Sequence, residues 1–124
     1  MVKEKILLHV DDEPEHLNLV ESILKKENFK IIKAQNGHEV LKLLRKKKPD
    51  LLLLDFFMPG MSGRELCERI RFDNRIKDLK IAFLTVAMFS KKGNEELKRL
   101  NVLDCIQKPF QYKDFVHRIK KIIA

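Results

Sequence analysis

The sequence lacks any long apolar run and contains little cysteine. Its longest apolar run, at residues 51–54, has the length of a strand, whereas a helix that crosses a bilayer needs about 18 apolar residues in succession. The N-terminus becomes acidic where a signal peptide would continue as an apolar stretch. The two cysteines, Cys67 and Cys105, lack metal-ligand spacing and are too few for a disulfide framework. These absences predict a cytoplasmic protein with reduced thiols and no membrane contact.

The sequence also lacks internal repeats, low-complexity tracts and interdomain linkers, so we predict a single domain over residues 1–124. A chain of 124 residues is long enough to bury an independent hydrophobic core. Hydrophobic residues make up 44% and charged residues 35% of the chain, which is typical of a folded globular protein and not of a disordered one.

The formal net charge of +8 is unevenly distributed along the chain. Residues 1–24 are acidic overall, whereas residues 25–49 and 105–124 are basic. A basic surface can attract nucleic acid or an acidic partner. However, the basic run at residues 45–48 has no interleaved aromatic residues for base stacking, and it suits a solvated helix C-terminus. We therefore do not expect nucleic acid as a partner of this domain.

Apolar periodicity predicts five strands, each followed by a helix. The strands are expected at residues 6–10, 29–34, 51–54, 81–85 and 104–107. The third strand is apolar without alternation, which indicates burial on both faces and therefore a parallel sheet. An Asn36-Gly37 turn is expected before the second helix, Asn101 is expected to adopt a left-handed conformation after the fourth, and Tyr112 is expected in the buried stripe of the fifth. Short connections predict an open, doubly wound α/β sandwich.

Chemically active side chains follow several of the predicted strands. The polar residues at these strand ends are Asp11, Asp12, Asp55, Thr85 and Lys108. The carboxyl ends of parallel strands meet at one edge of the sheet, where ligands bind in this class of fold. Three carboxylates that face one ammonium group need a counter-ion. Mg²⁺ is suited because it binds a few carboxylates and keeps waters and phosphate oxygens as its other ligands.

These groups predict a phosphoryl acceptor. An aspartate beside Mg²⁺ and an ammonium group can act as a nucleophile toward a phosphoryl group and form an acyl phosphate. Asp55 is the best candidate because it stands alone at the centre of the predicted sheet, whereas Asp11 and Asp12 are paired. Phosphoryl transfer needs in-line positioning and neutralisation of the phosphoryl oxygens more than it needs an acid or a base, and Thr85 and Lys108 suit that task.

Four motifs identify a possible family. LLHVDDE, LLLLDFFMPGMSG, IAFLTVA and CIQKPF together resemble the receiver domains of two-component response regulators, in particular single-domain chemotaxis receivers. The resemblance covers the whole chain. It implies a (βα)5 flavodoxin-like fold with a five-stranded parallel sheet of order 2-1-3-4-5. It also implies that Asp55 accepts a phosphoryl group from a sensor histidine kinase or a phosphotransfer protein.

The resemblance also implies the ligands of the metal ion. Mg²⁺ is expected to bind Asp12, Asp55 and the backbone carbonyl of Phe57, with Asp11 acting largely through water. Phe57 and its neighbour Phe56 follow the acceptor directly. Their rings either pack within the loop or shield the acyl phosphate from water, and the sequence leaves both interpretations open.

The resemblance further implies that Thr85 and Lys108 hold the phosphoryl oxygens and that the Lys108-Pro109 bond is cis. Two positions depart from the family pattern. Val86 stands where a small residue is common and should crowd the access to the acceptor aspartate. Cys105 stands where an aromatic residue usually turns inward on activation, so the aromatic relay is absent. Phosphorylation is expected to switch partner binding through the face formed by strand four, helix four and strand five.

The main alternative function is a Mg²⁺-dependent phosphohydrolase with a strand-end aspartate nucleophile. Such an enzyme needs a second aspartate two residues after the nucleophile as its proton donor, and this position is Phe57. We therefore expect a phosphoryl acceptor with at most slow autodephosphorylation, and not an enzyme. A basic nucleic-acid-binding module is the other alternative, and it rests on charge alone. The downstream partner is either a separate protein or an output domain missing from this chain, and the sequence leaves both open.

The histidines are isolated from one another and from the cysteines, so none is expected to bind a metal. They are His9, His16, His38 and His117. His9 lies inside the first predicted strand and is interpreted as a packed core residue.

Overall fold

The computed structural model describes residues 4–86 and 88–124, which form five strands that alternate with five helices. The strands are β1 (Ile6–Val10), β2 (Lys30–Ala34), β3 (Leu51–Leu54), β4 (Ile81–Thr85) and β5 (Val102–Gln107). The helices are α1 (Pro14–Lys25), α2 (Gly37–Lys46), α3 (Gly63–Phe72), α4 (Lys91–Arg99) and α5 (Tyr112–Ile123). The last residue of the IAFLTVA motif, at position 87, and residues 1–3 of the predicted domain lie outside the described residues.

The strands form one parallel sheet in the order β2-β1-β3-β4-β5. This order places β3 at the centre of the sheet and β1 and β4 on either side of it. Each connection between successive strands contains one helix, as parallel strands require. The predicted fold class and sheet order are therefore confirmed.

Two hydrophobic cores lie on opposite faces of the sheet. Leu52 and Leu54 of β3 face the core that α2, α3 and α4 cover. Leu51 and Leu53 face the other core, which α1 and α5 cover. All four leucines are buried, and burying one leucine side chain contributes about 1.5–3 kcal/mol. Burial on both faces is therefore the physical reason for the unbroken apolar run. No helix in the described part of the chain is long and apolar enough to span a bilayer.

The segment predicted as an Asn36-Gly37 turn is instead the start of α2. Asn36 Oδ1 accepts a hydrogen bond from the backbone N–H of Glu39 at 2.9 Å and so caps the helix. The Glu39 carboxylate accepts from the backbone N–H of Gln35 at 2.6 Å, which satisfies a second donor at the helix end. Gly37 is favoured by space and not by a turn, because a Cβ atom there would lie 2.7 Å from Sδ of the buried Met61 and would displace that side chain.

The other differences from the sequence-based expectations are small. β2 begins at Lys30 and β5 at Val102, within two residues of the predicted starts. Asn101, between α4 and β5, has a φ of 57°, which confirms its predicted left-handed conformation. Tyr112 was expected to be buried but is 42% exposed, because it is the first residue of α5 and its hydroxyl lies 3.5 Å from a carboxylate oxygen of Glu27.

Candidate functional site

Backbone hydrogen bonds bring the carboxyl ends of the strands to one edge of the sheet. The N–H of Asp55 donates to the carbonyl of Val10 at 3.2 Å, and the N–H of Asp11 donates to the last carbonyl of β2 at 3.1 Å. Between β4 and β5, the N–H of Lys108 donates to the carbonyl of Thr85 at 3.0 Å. Asp11, Asp55 and Lys108 are therefore each attached to a neighbouring strand, which limits their movement.

Asp11, Asp12 and Asp55 form a carboxylate cluster at this edge. Each residue offers one oxygen atom, and these atoms all lie within 4.8 Å of one another. Asp11 is fully buried and the Asp55 side chain is 13% exposed, whereas Asp12 is exposed. Carboxylates this close repel one another unless a cation lies between them. Three oxygen ligands with room for water match the preference of a hard divalent ion, so the donor set fits the predicted Mg²⁺.

Lys108 supplies the positive charge of the site. Its Nζ atom donates to Asp11 Oδ2 at 2.7 Å and lies 3.6 Å from Asp55 Oδ2. Burial by itself would raise the pKa of Asp11. The hydrogen bond from Lys108, together with one from the backbone N–H of Glu13 at 3.0 Å, outweighs burial and holds that pKa below its usual range. Asp11 is thus an ionised, buried partner of the ammonium group.

Thr85 and Phe57 border the cluster on its β4 and loop sides. Thr85 is buried at the end of β4, and the backbone N–H of Phe57 donates to Asp55 Oδ1 at 3.3 Å. The turn between β3 and α3 is tight, because a Cβ atom at Gly63 would lie 2.7 Å from the carbonyl oxygen of Asp55. Glycine therefore lets α3 begin directly against the site. The roles of Thr85 and of the Phe57 carbonyl stay predictions.

The two phenylalanines after Asp55 have different environments. Phe56 packs against the first core and makes edge-to-face contacts with Phe83 and Phe89, with ring centroids 5.9 and 5.0 Å apart. Phe57 is 59% exposed. Loop packing accounts for Phe56, and a shielding role remains a prediction for Phe57 alone.

His16 lies beside the carboxylate cluster, where sequence reasoning did not place it. Its Nδ1 atom is 3.2 Å from Lys108 Nζ and 3.4 Å from Asp11 Oδ2, and its Nε2 atom is 3.0 Å from Glu13 Oε2. The sequence nevertheless indicated the position of His16, because this residue is the third of a helix that begins just after the strand-end aspartates. The first turn of that helix necessarily lies at the same edge of the sheet.

His9 is fully buried in β1, which confirms its interpretation as a core residue. Neither ring nitrogen has a hydrogen-bond partner among residues 4–86 and 88–124. Burial lowers the pKa of His9 to about 4, with smaller effects from the nearby Asp11, Lys108 and His16. The imidazole is therefore neutral near pH 7, and its protonation is opposed by the fold.

The positions that depart from the family pattern lie on the β4 and β5 side. Val86 is 63% exposed after the end of β4, and its predicted crowding of the acceptor stays a prediction. Cys105 is half-buried and pairs with Phe83 in the β4–β5 register. Burial raises the pKa of its thiol to about 11, so near neutral pH it is a small apolar side chain. The Lys108-Pro109 peptide bond is cis, as predicted.

An aromatic residue from a loop packs near Cys105. Phe89 precedes α4, and its ring is stacked with that of Phe83, with centroids 6.2 Å apart and an interplanar angle of 26°. Phe83 is the register partner of Cys105. Phe89 and Cys105 thus pack against the same hydrophobic core, and the ring that stacks with Phe83 comes from the segment that leads to α4.

Comparison with known proteins identifies the family of this chain. Residues 7–120 match the response regulator receiver domain. The chain therefore belongs to this family, and it has the family's role as a phosphoryl acceptor in two-component signalling. Receiver domains take the phosphoryl group from histidine kinases or phosphotransfer proteins.

Two curated relatives differ in length. The sporulation initiation phosphotransferase F of Bacillus subtilis is 32% identical over 124 residues, which cover 99% of this chain and 96% of the relative. The phosphate regulon transcriptional regulatory protein PhoB of Pseudomonas aeruginosa is 32% identical over 123 residues, which cover 96% of this chain and 52% of the relative. The chain thus spans nearly the whole of the first relative and about half the length of the second.

A solved structure has the same fold and a bound metal. The response regulator TrrA of Thermotoga maritima, in complex with Mg²⁺ and BeF, is 34% identical with a TM-score of 0.80. The similarity covers 95% of this chain and 98% of TrrA.

Proposed function

We propose that Asp55 is the residue that accepts the phosphoryl group and that residues 1–124 form one receiver domain. The position of Asp55 carries this proposal, because it belongs to the carboxylate cluster while its Oδ2 atom lies 3.6 Å from Lys108 Nζ. Asp11 is buried and already bonded to Lys108 at 2.7 Å. Asp12 has no ion pair among residues 4–86 and 88–124. Of the three carboxylates, Asp55 is the one proposed to bind the metal directly and to lie near the ammonium group without a hydrogen bond to it, so a phosphoryl group can share that cation.

The proposed cofactor is Mg²⁺. Asp12, Asp55 and the backbone carbonyl of Phe57 would hold it, with Asp11 acting through water. When bound, the ion neutralises negative charge on the phosphoryl oxygens during transfer. Support comes from the three carboxylates within 4.8 Å of one another and from the Mg²⁺ and BeF complex of TrrA, a protein 34% identical to this chain.

The proposed reaction is a direct displacement at phosphorus. A carboxylate oxygen of Asp55 attacks the phosphorus atom of a phosphohistidine on the kinase or phosphotransfer protein. The O–P bond forms as the P–N bond breaks, and the histidine nitrogen leaves with the bonding electron pair. Lys108 and Thr85 bind the phosphoryl oxygens and keep the attacking oxygen, the phosphorus atom and the leaving nitrogen in line.

Hydrolysis of the acyl phosphate is proposed to be slow, so that the domain is a phosphoryl acceptor with at most slow autodephosphorylation. Phe57 occupies the position where an aspartate-based phosphohydrolase carries its proton donor, and a phenyl ring cannot transfer a proton. Its exposed ring is also available to exclude water from the acyl phosphate.

Phosphorylation is proposed to alter partner binding on the face formed by β4, α4 and β5. Thr85 ends β4, and residues 88–90 lead from this strand end to α4. The partner is either a separate downstream protein or an output domain of a longer chain. We propose no membrane or nucleic-acid partner for this domain, and a cytoplasmic location remains a prediction that cell fractionation tests.

Intact-mass measurement after incubation with acetyl phosphate and Mg²⁺ tests the acceptor. We expect one added phosphoryl group, which alkali removes. Asp55→Asn should lower labelling by at least about 100-fold, because the nucleophile is lost. Asp78→Asn, the same change at an exposed position on the opposite side of the domain from the cluster, should label as the wild type does. Labelling of Asp55→Asn at the wild-type rate would refute the assignment.

A further inference from the structure

The ammonium group of Lys108 contacts three side chains. An ammonium group has three N–H donors and no acceptor. Its Nζ atom lies 2.7 Å from Asp11 Oδ2, 3.2 Å from His16 Nδ1 and 3.6 Å from Asp55 Oδ2. The first two are hydrogen-bond distances and the third is longer. Asp11 and His16 therefore occupy two donors, and the third donor is left for the acceptor aspartate.

The contacts of His16 define which of its nitrogens carries the proton. Because an ammonium group can only donate, His16 Nδ1 is the acceptor of the contact with Lys108. In the neutral imidazole the proton is then on Nε2, which lies 3.0 Å from the carboxylate of Glu13. The Asp11 oxygen 3.4 Å from the same Nδ1 atom is beyond an ordinary N–H···O distance and already accepts from Lys108 at 2.7 Å. Lys108 is therefore the partner of Nδ1, and Glu13 fixes the tautomer that Lys108 requires.

His16 is not placed to bind the metal ion. Its nitrogen nearest the carboxylate cluster is 3.2 Å from the Lys108 ammonium, and a metal cation on that nitrogen would lie against this positive charge. Asp11, by contrast, is a proposed metal-site residue, so its carboxylate is shared between the ion and the ammonium group. Metal binding therefore leaves the hydrogen bond between His16 and Lys108 unchanged, whereas it competes for the carboxylate of Asp11.

We propose that His16 is a positioning residue for Lys108. Its Nδ1 atom accepts one ammonium proton and, together with Asp11, orients the ammonium group so that the third N–H faces Asp55. This proposal rests on the proposed function of Asp55 and Lys108 in phosphoryl transfer. His16 acts through Lys108 and touches neither the phosphoryl group nor the metal ion. Its side chain is 41% exposed, so its removal takes little from the hydrophobic core.

The first test needs no phosphorylation. ¹⁵N NMR detects lysine NH₃⁺ groups whose protons are protected by hydrogen bonds. We expect one protected signal that Lys108→Met abolishes and that His16→Leu broadens beyond detection. His16→Asn should retain the signal, because asparagine Oδ1 can replace the Nδ1 acceptor. His117→Leu, the same change at an exposed position of α5, should leave it unaltered.

The second test measures the rate of labelling by acetyl phosphate at saturating Mg²⁺. His16→Leu should slow labelling by about 10-fold, the low end of what the loss of one hydrogen bond to a charged group costs, because the half-exposed position lets water replace part of the lost contact. His16→Asn should restore most of the rate. In the Lys108→Met background, His16→Leu should change the rate by less than about twofold, since no ammonium group remains to be positioned. A merely structural role would slow labelling in both backgrounds.

The outcomes separate this proposal from the proposed function. An unchanged Lys108 signal in His16→Leu, or equal slowing in both backgrounds, would overturn the positioning role. Failure of the wild type to label on Asp55 would overturn the proposed function, while the ammonium signal would still decide whether His16 holds Lys108. If His16→Leu does not fold, the ¹⁵N resonances of His16 decide. A shift of Nδ1 in Lys108→Met supports the contact, and an unchanged Nδ1 contradicts it.

Discussion

The carboxylate cluster and helix α4 differ in how firmly the fold holds them. Asp11 and Asp55 follow buried strands and are fixed by backbone hydrogen bonds to the neighbouring strands. In α4, Leu97 alone of the nine residues is buried, and the first turn contains no acidic residue. Lys91 and Lys92 at its start oppose the helix dipole. The chemistry is therefore attached to well-packed strands, whereas the proposed responsive element is a helix with few buried residues.

The two ends of α4 also differ from each other. At the C-terminal end, the guanidinium group of Arg71 in α3 donates to the carbonyls of Leu100 at 2.8 Å and Asn101 at 3.2 Å. At the N-terminal end, the hydrogen bonds are local, such as the one from the N–H of Gly93 to Ser90 Oγ at 3.1 Å, and the contact with the sheet is the packing of the Phe89 ring on Phe83. A displacement that begins near Thr85 should therefore move the N-terminal end of α4 more than the C-terminal end.

Acid is expected to have the largest effect, and it acts on the strands: protonation of His9 in β1 should lower the free energy of unfolding. Its pKa is about 4 in the folded protein and about 6.5 in an unfolded chain. Between these values the unfolded chain binds the proton and the folded protein does not, so stability is full above pH 6.5 and falls as the pH decreases toward 4. The loss should reach about 3 kcal/mol. Urea denaturation between about pH 4 and 7 should show this slope.

Two leucine variants check the assignment to His9. His9→Leu should abolish the slope in that pH range, because it removes the buried titratable group. His117→Leu should retain it, because His117 is exposed. A slope that survives His9→Leu would contradict the prediction.

Removal of the Arg71 guanidinium group should loosen the C-terminal end of α4, which this group holds by hydrogen bonds. Arg71→Met should lower the free energy of unfolding by about 2 kcal/mol, because the part-buried carbonyls of Leu79 and Leu100 lose their donor. Hydrogen exchange should increase near residues 96–101. Arg69→Met, on the exposed face of the same helix, should change stability by less than about 0.5 kcal/mol. Equal effects of the two variants would show that Arg71 has no special part in holding α4.

In the absence of metal, the aspartates of the cluster should respond differently to neutralisation. In chelator, Asp12→Asn should raise the melting temperature by about 2–4 °C, because it relieves repulsion and loses no ion pair. Asp11→Asn should lower it, because the ionised carboxylate accepts from Lys108 at 2.7 Å. Thermal melts in chelator measure both shifts. Shifts of the same sign would mean that repulsion within the cluster does not govern its stability.

The smallest effect is expected from Cys105. With beryllium fluoride and Mg²⁺ as a phosphoryl analogue, hydrogen exchange should change most between residues 86 and 100. Cys105→Ala should leave this response nearly intact, because the ring that stacks with Phe83 belongs to Phe89 and not to β5. Phe89→Ala is the matched variant and should reduce the response. Loss of the response in Cys105→Ala would instead place the signal in β5.

Local sequence patterns were enough to predict five alternating strands and helices, a parallel sheet and the edge at which the chemistry lies, whereas the order of the strands in the sheet was implied by the resemblance of four motifs to receiver domains. The apolar run at residues 51–54 requires a doubly covered central strand, and the aspartates next to the apolar strands can only emerge at a strand end. These inferences use local patterns, which the chain carries in consecutive residues. Asn36 shows where such a pattern is ambiguous, since the same residue type favours both turns and helix N-caps.

Which side chains meet across the fold depends on tertiary packing. His16 and Lys108 are 92 positions apart, and Phe89, which precedes α4, stacks on Phe83 of β4. Such contacts depend on how the helices pack on the sheet and on which rotamers their side chains adopt. The hydrophobic periodicity of the sequence predicts neither of these. The strand ends were therefore predictable from local hydrophobic patterning, whereas the partners of Lys108 were not, because long-range packing determines them.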